Sequence, residues 1–271
     1  MKAKEYNLTR KQYPLLLTGT IDSGVYGNTG NLIKDIKIRL MQYESSIGRY
    51  IEETPFDAIV FIENSGYAFD AEKFTKLAHK YNKEFEFISG EICIEEIKQY
   101  GKSYGDAYLI SEALQTSKLL SPCEYFYKIT GRIFLKNAKQ ICRTVNKYRN
   151  EFIIYCGMGW CMTNIFKANK EDYLKILGDV YHDCNEATVQ DIEISFYKRL
   201  MTTNIKLDSF ESYPYFEGKM GATGQNYSGK KPERIIRNIM ARTHCFVKGS
   251  RTARVILFAM KLKKVKGYVI D

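Results

Sequence analysis

Five consecutive apolar residues, Ala58-Ile-Val-Phe-Ile62, run straight into the polar turn Glu63-Asn64-Ser65-Gly66 and constrain the fold more than any other stretch. A run that is apolar on both alternating faces predicts a strand buried on both sides, as in a parallel sheet covered by helices. Pro14-Leu-Leu-Leu-Thr-Gly-Thr-Ile21 has the same character and leads into a loop rich in Gly and Asn, residues 22–31. Phe85 to Ile88 predicts a third strand. Ile36, Leu40, Tyr43, Ile47 and Ile51 recur near helical spacing and predict a helix over 33–52, and a second helix follows over 70–81. The stretch Tyr100-Gly-Lys-Ser-Tyr-Gly-Asp106 reads as a glycine-marked loop before a third helix over 107–120. Three strand–helix units in a row argue for an α/β domain with a mostly parallel central sheet. Right-handed crossovers then bring Thr18–Thr20 and Asn64–Gly66 to one rim.

The next strand, 125–135, contains Lys128 and Arg132 on either side of Thr130 and Gly131. A buried cation without a partner is very costly. Either acids elsewhere in the chain pair with these two, or they face a wet cleft that holds an anion. The second half is less regular. Glu151 to Tyr155 predicts a strand, and Cys156-Gly-Met-Gly-Trp-Cys161 a tight bend. A helix over 170–180 leads to His182, and a further helix opens near Thr188, a weak N-cap with Asp191 three residues on. Residues 214–231 contain four glycines, including Gly221 and Gly224, and suit a lid.

At 271 residues the chain suits one large domain or a domain with an appendage. Its seven cysteines lack metal-ligand spacing and suit buried free thiols. No apolar run is long enough for a transmembrane helix, and the first residues lack a signal-peptide core, so a cytoplasmic protein is expected. The net charge of +10 is concentrated late: residues 230–266 hold twelve Lys or Arg and the single acid Glu233. Such a segment suits an anionic surface, whether lipid headgroups or nucleic acid, and no RNA-recognition signature accompanies it.

Four stretches, taken in order, carry a resemblance that spans roughly residues 14–228: Leu15-Leu-Leu-Thr-Gly-Thr-Ile21, Ile59-Val-Phe-Ile-Glu-Asn-Ser-Gly66, Tyr127-Lys-Ile-Thr-Gly-Arg132 and Gln190-Asp-Ile-Glu-Ile-Ser-Phe-Tyr-Lys-Arg-Leu200. Together the chain resembles GT-A nucleotide-sugar glycosyltransferases of bacterial capsular polysaccharide and lipopolysaccharide synthesis. The resemblance implies a GT-A-like, Rossmann-type domain over residues 1–228 and a basic helical extension over 229–271. It implies transfer from a nucleotide-diphosphate sugar, UDP favoured, to a glycan or lipid-linked glycan. Thr18, Gly19, Thr20, Asn64, Ser65, Lys102, Lys128, Thr130 and Arg132 would then contact the donor. Asp191, or else Glu193, would be the base, and Trp160, His182, Gly221 and Gly224 would serve the acceptor or a lid. The chain departs from the usual pattern at Lys128–Arg132. There the family keeps an Asp-x-Asp pair for a divalent metal, and this chain has cations instead. Lys and Arg neutralise a diphosphate directly, so no metal or other cofactor is expected.

The resemblance also implies an acceptor presented at the anionic inner membrane, peripherally bound through the basic segment, with no nucleic acid partner. The alternative is a non-catalytic nucleotide-fold module that holds nucleic acid or anionic membrane through that segment.

Overall fold

The computed structural model describes residues 13–27, 32–144, 150–219, 224–227, 231–253 and 255. The first half runs β1 (Pro14–Gly19), α1 (Ile36–Glu53), β2 (Ala58–Glu63), α2 (Ala71–Lys80), β3 (Glu84–Ser89), α3 (Ile94–Tyr100), α4 (Lys102–Thr116) and β4 (Tyr125–Thr130). The second runs β5 (Phe134–Leu135), α5 (Ala138–Ile141), β6 (Ile154–Tyr155), β7 (Trp160–Cys161), β8 (Ile165–Asn169), α6 (Lys170–Ile176), α7 (Ile192–Thr202), β9 (Phe216–Glu217) and α8 (Lys231–Arg242). The central sheet has five strands in the order β3-β2-β1-β4-β8. Its first four are parallel, and β8 pairs antiparallel with β4. The protein is therefore an α/β fold on a mostly parallel sheet flanked by helices, as the apolar runs predict.

Strand alternation divides the core in two. Leu15, Leu17, Ile59, Phe61 and Tyr127 face α1 and α2, where Tyr43, Ile47, Tyr50 and Phe74 meet them. Leu16, Val60, Ile62 and Phe126 face the other way, onto Ala107 and Ile110 of α4, Tyr173 of α6 and Phe196 of α7. Helices on both sides explain why these strands read as continuous apolar runs.

Several expectations are corrected. Residues 102–106 are helical: Gly101 takes φ 94°, ends α3, and lets α4 start at Lys102. A left-handed residue is cheap only for glycine, so it separates two helices here rather than marking a loop. The predicted 125–135 strand breaks at Gly131-Arg132, and its last two residues pair with β9 instead. The helix near 188 begins later, with Asp191 rather than Thr188 as its N-cap: the Asp191 side chain accepts the Ile194 amide at 2.9 Å. β8 had no apolar signature because Lys167 sits at its centre. That lysine is fully buried, its Nζ 3.2 Å from an equally buried Glu151 carboxylate. The bend at 156–161 is a hairpin of β6 and β7.

Candidate functional site

The chain moves outward from β1 through β2 to β3, then returns to place β4 on the other side of β1. Strands whose connections leave in opposite directions open a crevice beyond their carboxyl ends. A cleft of about 550 Å³, partly open to solvent, lies there. Its floor is main chain and small side chains: Thr18 and Gly19 at the end of β1, Thr20 just after it, and Thr130 at the end of β4. A Cβ on Gly19 would lie 2.5 Å from the Tyr43 ring and 2.7 Å from that of Phe61. One on Gly131 would lie 2.9 Å from the Thr18 carbonyl, whose oxygen already accepts the Gly131 amide. Glycine at 131 lets the chain after β4 close on β1, and glycine at 19 leaves room for the Tyr43 and Phe61 rings beneath the rim.

Four side chains hold this floor. Tyr43 on α1 accepts the Thr20 amide at 2.9 Å. Arg39, buried on the same helix, donates through Nε to the Thr20 and Ile21 carbonyls, each at 3.0 Å. Glu63, fully buried at the end of β2, accepts the Ile21 amide at 2.6 Å and the Ser65 amide at 3.0 Å. A carboxylate that receives several amides is well satisfied in a dry interior. Asn64 closes the set by accepting the Thr20 hydroxyl at 2.7 Å.

The walls carry the charge. Among the described residues, Arg39, Lys102 and Arg132 line the cleft against a single carboxylate, Asp106. Arg132 follows β4 and donates to Gln42 at 3.1 Å. Lys102 and Asp106 lie on successive turns of α4, four residues apart and so on one face. Glu186 reaches back to the start of α4, accepting the Ser103 amide at 3.1 Å and its hydroxyl at 2.6 Å. Asp106 opens to solvent through the cleft, yet the surrounding protein thins that water enough to push its carboxyl up. Lys128, Lys102 and Arg132 pull the other way.

Lys128 lies outside the lining. It is 3 % exposed, and its Nζ donates to the Thr163 carbonyl at 2.9 Å. Burial lowers its pKa, which Asp106 and Glu193 partly restore. Glu193, in the first turn of α7, accepts the Thr163 hydroxyl at 2.8 Å, and burial raises its carboxyl. Lys128 is thus coupled to one acid in the cleft and to another on α7.

The other predicted site residues fall elsewhere. Ser65 is consumed in the floor, accepting the Asp22 amide at 2.9 Å. Asp191 caps its helix. Trp160 packs on Tyr155 in the β6–β7 hairpin, ring centroids 5.1 Å apart. His182 is exposed beside Tyr181. Gly224, at φ 65°, lies in a loop closed by the Lys219–Asn226 bridge. Tyr227, in the same stretch, bonds to Asn164 and feels Arg132. Gly221 lies outside the described residues. Arg39 and Tyr43 were missed as site residues, although a helix whose apolar stripe is interrupted by Arg39 was itself a signal. Among the described residues, no three His, Cys, Asp or Glu form a metal-ligand set.

No family model matches the chain, and no curated protein matches it in sequence. Similar solved structures exist. A protein assigned as a nucleotide-diphospho-sugar transferase from Desulfovibrio desulfuricans is 11% identical with a TM-score of 0.45, over 73% of this chain and 78% of that one. HddC from Yersinia pseudotuberculosis is 13% identical with a TM-score of 0.38, over 76% of this chain and 93% of its own. The 4-diphosphocytidyl-2C-methyl-D-erythritol synthase from Anaerococcus prevotii is 11% identical with a TM-score of 0.37, over 84% and 96%.

Proposed function

We propose that the cleft binds a nucleotide-diphosphate sugar, UDP-linked by preference, and transfers the sugar to a glycan or lipid-linked glycan of a surface polysaccharide. The observation that carries this reading is the cleft at the β1/β4 switch point, with three cations against one carboxylate over a main-chain floor. A diphosphate matches that charge, and a bare backbone floor allows close approach of a flat base or ribose. Arg132 and Lys102 are the diphosphate contacts in this reading. Thr18, Thr20, Asn64 and Thr130 offer hydrogen bonds to the nucleoside, and Asp106 a hydroxyl of the sugar. Lys128 supports the site from beneath, as a buried cation coupled to Asp106 and Glu193.

A panel of UDP-, GDP-, CDP- and dTDP-sugars in a thermal-shift assay tests the reading. One nucleotide class should raise the melting temperature by about 5–10 °C at roughly a hundredfold excess over Kd. Arg132→Ala should weaken that binding about tenfold or more through loss of a charge-assisted contact. A flat response across the panel would sink the proposal.

The second expectation is turnover without a divalent metal, because Arg132 and Lys102 already supply positive charge for the leaving diphosphate. Transfer measured with the donor found above should be unchanged in EDTA. Loss in EDTA and recovery with manganese or magnesium would overturn it.

A further inference from the structure

α8 packs against the protein with the face that its sequence pattern marks as polar. Residues 234, 237, 238 and 241 share one side of a helix. The Arg234 guanidinium lies 4.2 Å from the Tyr215 ring centroid, and that of Arg237 lies 5.3 Å from Tyr213. Asn238 accepts the Tyr213 amide at 3.0 Å, and Ala241 is buried. Cation–π and hydrogen-bond contacts therefore pin the helix by its arginines. The opposite side, Ile235, Ile236 and Ile239, is left 55 %, 57 % and 57 % exposed. Helices of globular proteins ordinarily bury such a stripe, so one turned outward marks a surface that something covers.

Charge identifies the occupant. Arg242 at the end of α8 is exposed, as is Arg251 in the helical residues beyond the following turn, where Val255 is also 67 % exposed. Across residues 230–266 twelve cations face one acid. Apolar side chains flanked by Lys and Arg match the acyl boundary and headgroups of an anionic bilayer. Among the described residues, no helix is long and apolar enough to cross a membrane.

We propose that the Ile235–Ile236–Ile239 face of α8 docks the protein on the surface of an anionic bilayer, the isoleucines entering the acyl boundary and the flanking cations holding the headgroups. This holds whether or not the cleft transfers a sugar, and its test involves no nucleotide. The full chain is sedimented with vesicles of phosphatidylcholine alone or of phosphatidylcholine mixed with phosphatidylglycerol, at physiological ionic strength. The wild type should pellet with the mixed vesicles only. The triple variant Ile235→Ser, Ile236→Ser, Ile239→Ser should lose roughly tenfold or more in partitioning, with an unchanged melting temperature because these side chains touch solvent. Three results would overturn the proposal: no binding to mixed vesicles, equal binding to neutral ones, or equal binding by the triple variant. A dimer in analytical ultracentrifugation that the triple variant dissolves would also overturn it, by showing that a second copy covers the face.

Discussion

Glu193→Gln should lower transfer by roughly 10²–10⁴-fold, the usual range for loss of a positioned general base, and leave donor binding and folding in place. In the proposed transfer the acceptor hydroxyl loses a proton as it attacks, and two acids at the start of α7 are candidates. Asp191 is committed to the Ile194 amide as an N-cap. Glu193 points to Thr163, whose carbonyl oxygen also receives Lys128. It therefore shares Thr163 with Lys128, the cation that is coupled to Asp106 in the cleft. Asp191→Asn keeps a good capping side chain, so it should fold normally and transfer at close to the wild-type rate. If Asp191→Asn removes turnover and Glu193→Gln does not, the roles are reversed.

The same assignment fixes a pH dependence. Burial raises the Glu193 carboxyl above its ordinary value of 4.5. Only the ionised form accepts a proton, so the rate should rise with pH through that elevated pKa. Stability should move oppositely. Between the ordinary and the raised value, the native state keeps a proton that the unfolded chain has lost, so stability falls as pH increases through that window. A pH–rate profile with its limb at an ordinary carboxylate pKa would count against Glu193.

Lys167→Met should destabilise the fold by about 3–5 kcal/mol, because it takes a buried ammonium away from the Glu151 carboxylate. Both side chains are fully buried, and their backbones also exchange hydrogen bonds at 2.7 and 3.0 Å. Lys167 stands across β4 from Tyr127 and lies 5.1 Å from the Tyr125 ring centroid. For a domain of this size the melting temperature should drop by roughly 6–20 °C. The double variant Glu151→Leu, Lys167→Met should recover most of that loss, since a buried ion pair replaced by well-packed apolar groups is often neutral or better. A double variant as unstable as the single one would show that the pair acts through something other than mutual compensation.

The strands of the first half were legible because a sheet covered on both faces demands continuous apolar runs, and those at 14–17 and 58–62 meet that demand. β8 was not. Its central Lys167 looks like a surface residue until Glu151, sixteen positions earlier, is folded against it. The start of α4 was hidden for a local reason: Gly101 and Gly105 both read as loop, yet only Gly101 needs a left-handed backbone. Gly105 is helical and tightly packed, its Cβ position 2.6 Å from Ile97. On α8 the isoleucines at 235, 236 and 239 share one face, while the contacts of Arg234 and Arg237 with the Tyr215 and Tyr213 rings turn the other face inward.

The cations at 128 and 132 divide the two kinds of knowledge most clearly. Sequence alone determined that two positive side chains stand at the end of the fourth strand, and that each needs either an acid or an anionic ligand. It could not say which need applied to which residue. Lys128 is on the strand, where alternation turns it into the core between Asp106 and Glu193. Arg132 comes after Gly131, where β4 leaves β1 and the chain turns onto the rim of the cleft. Charge and position along the chain were local properties. Which cation meets solvent depends on the crossing of β1 and β4, and that crossing exists only once residues more than a hundred positions apart have paired.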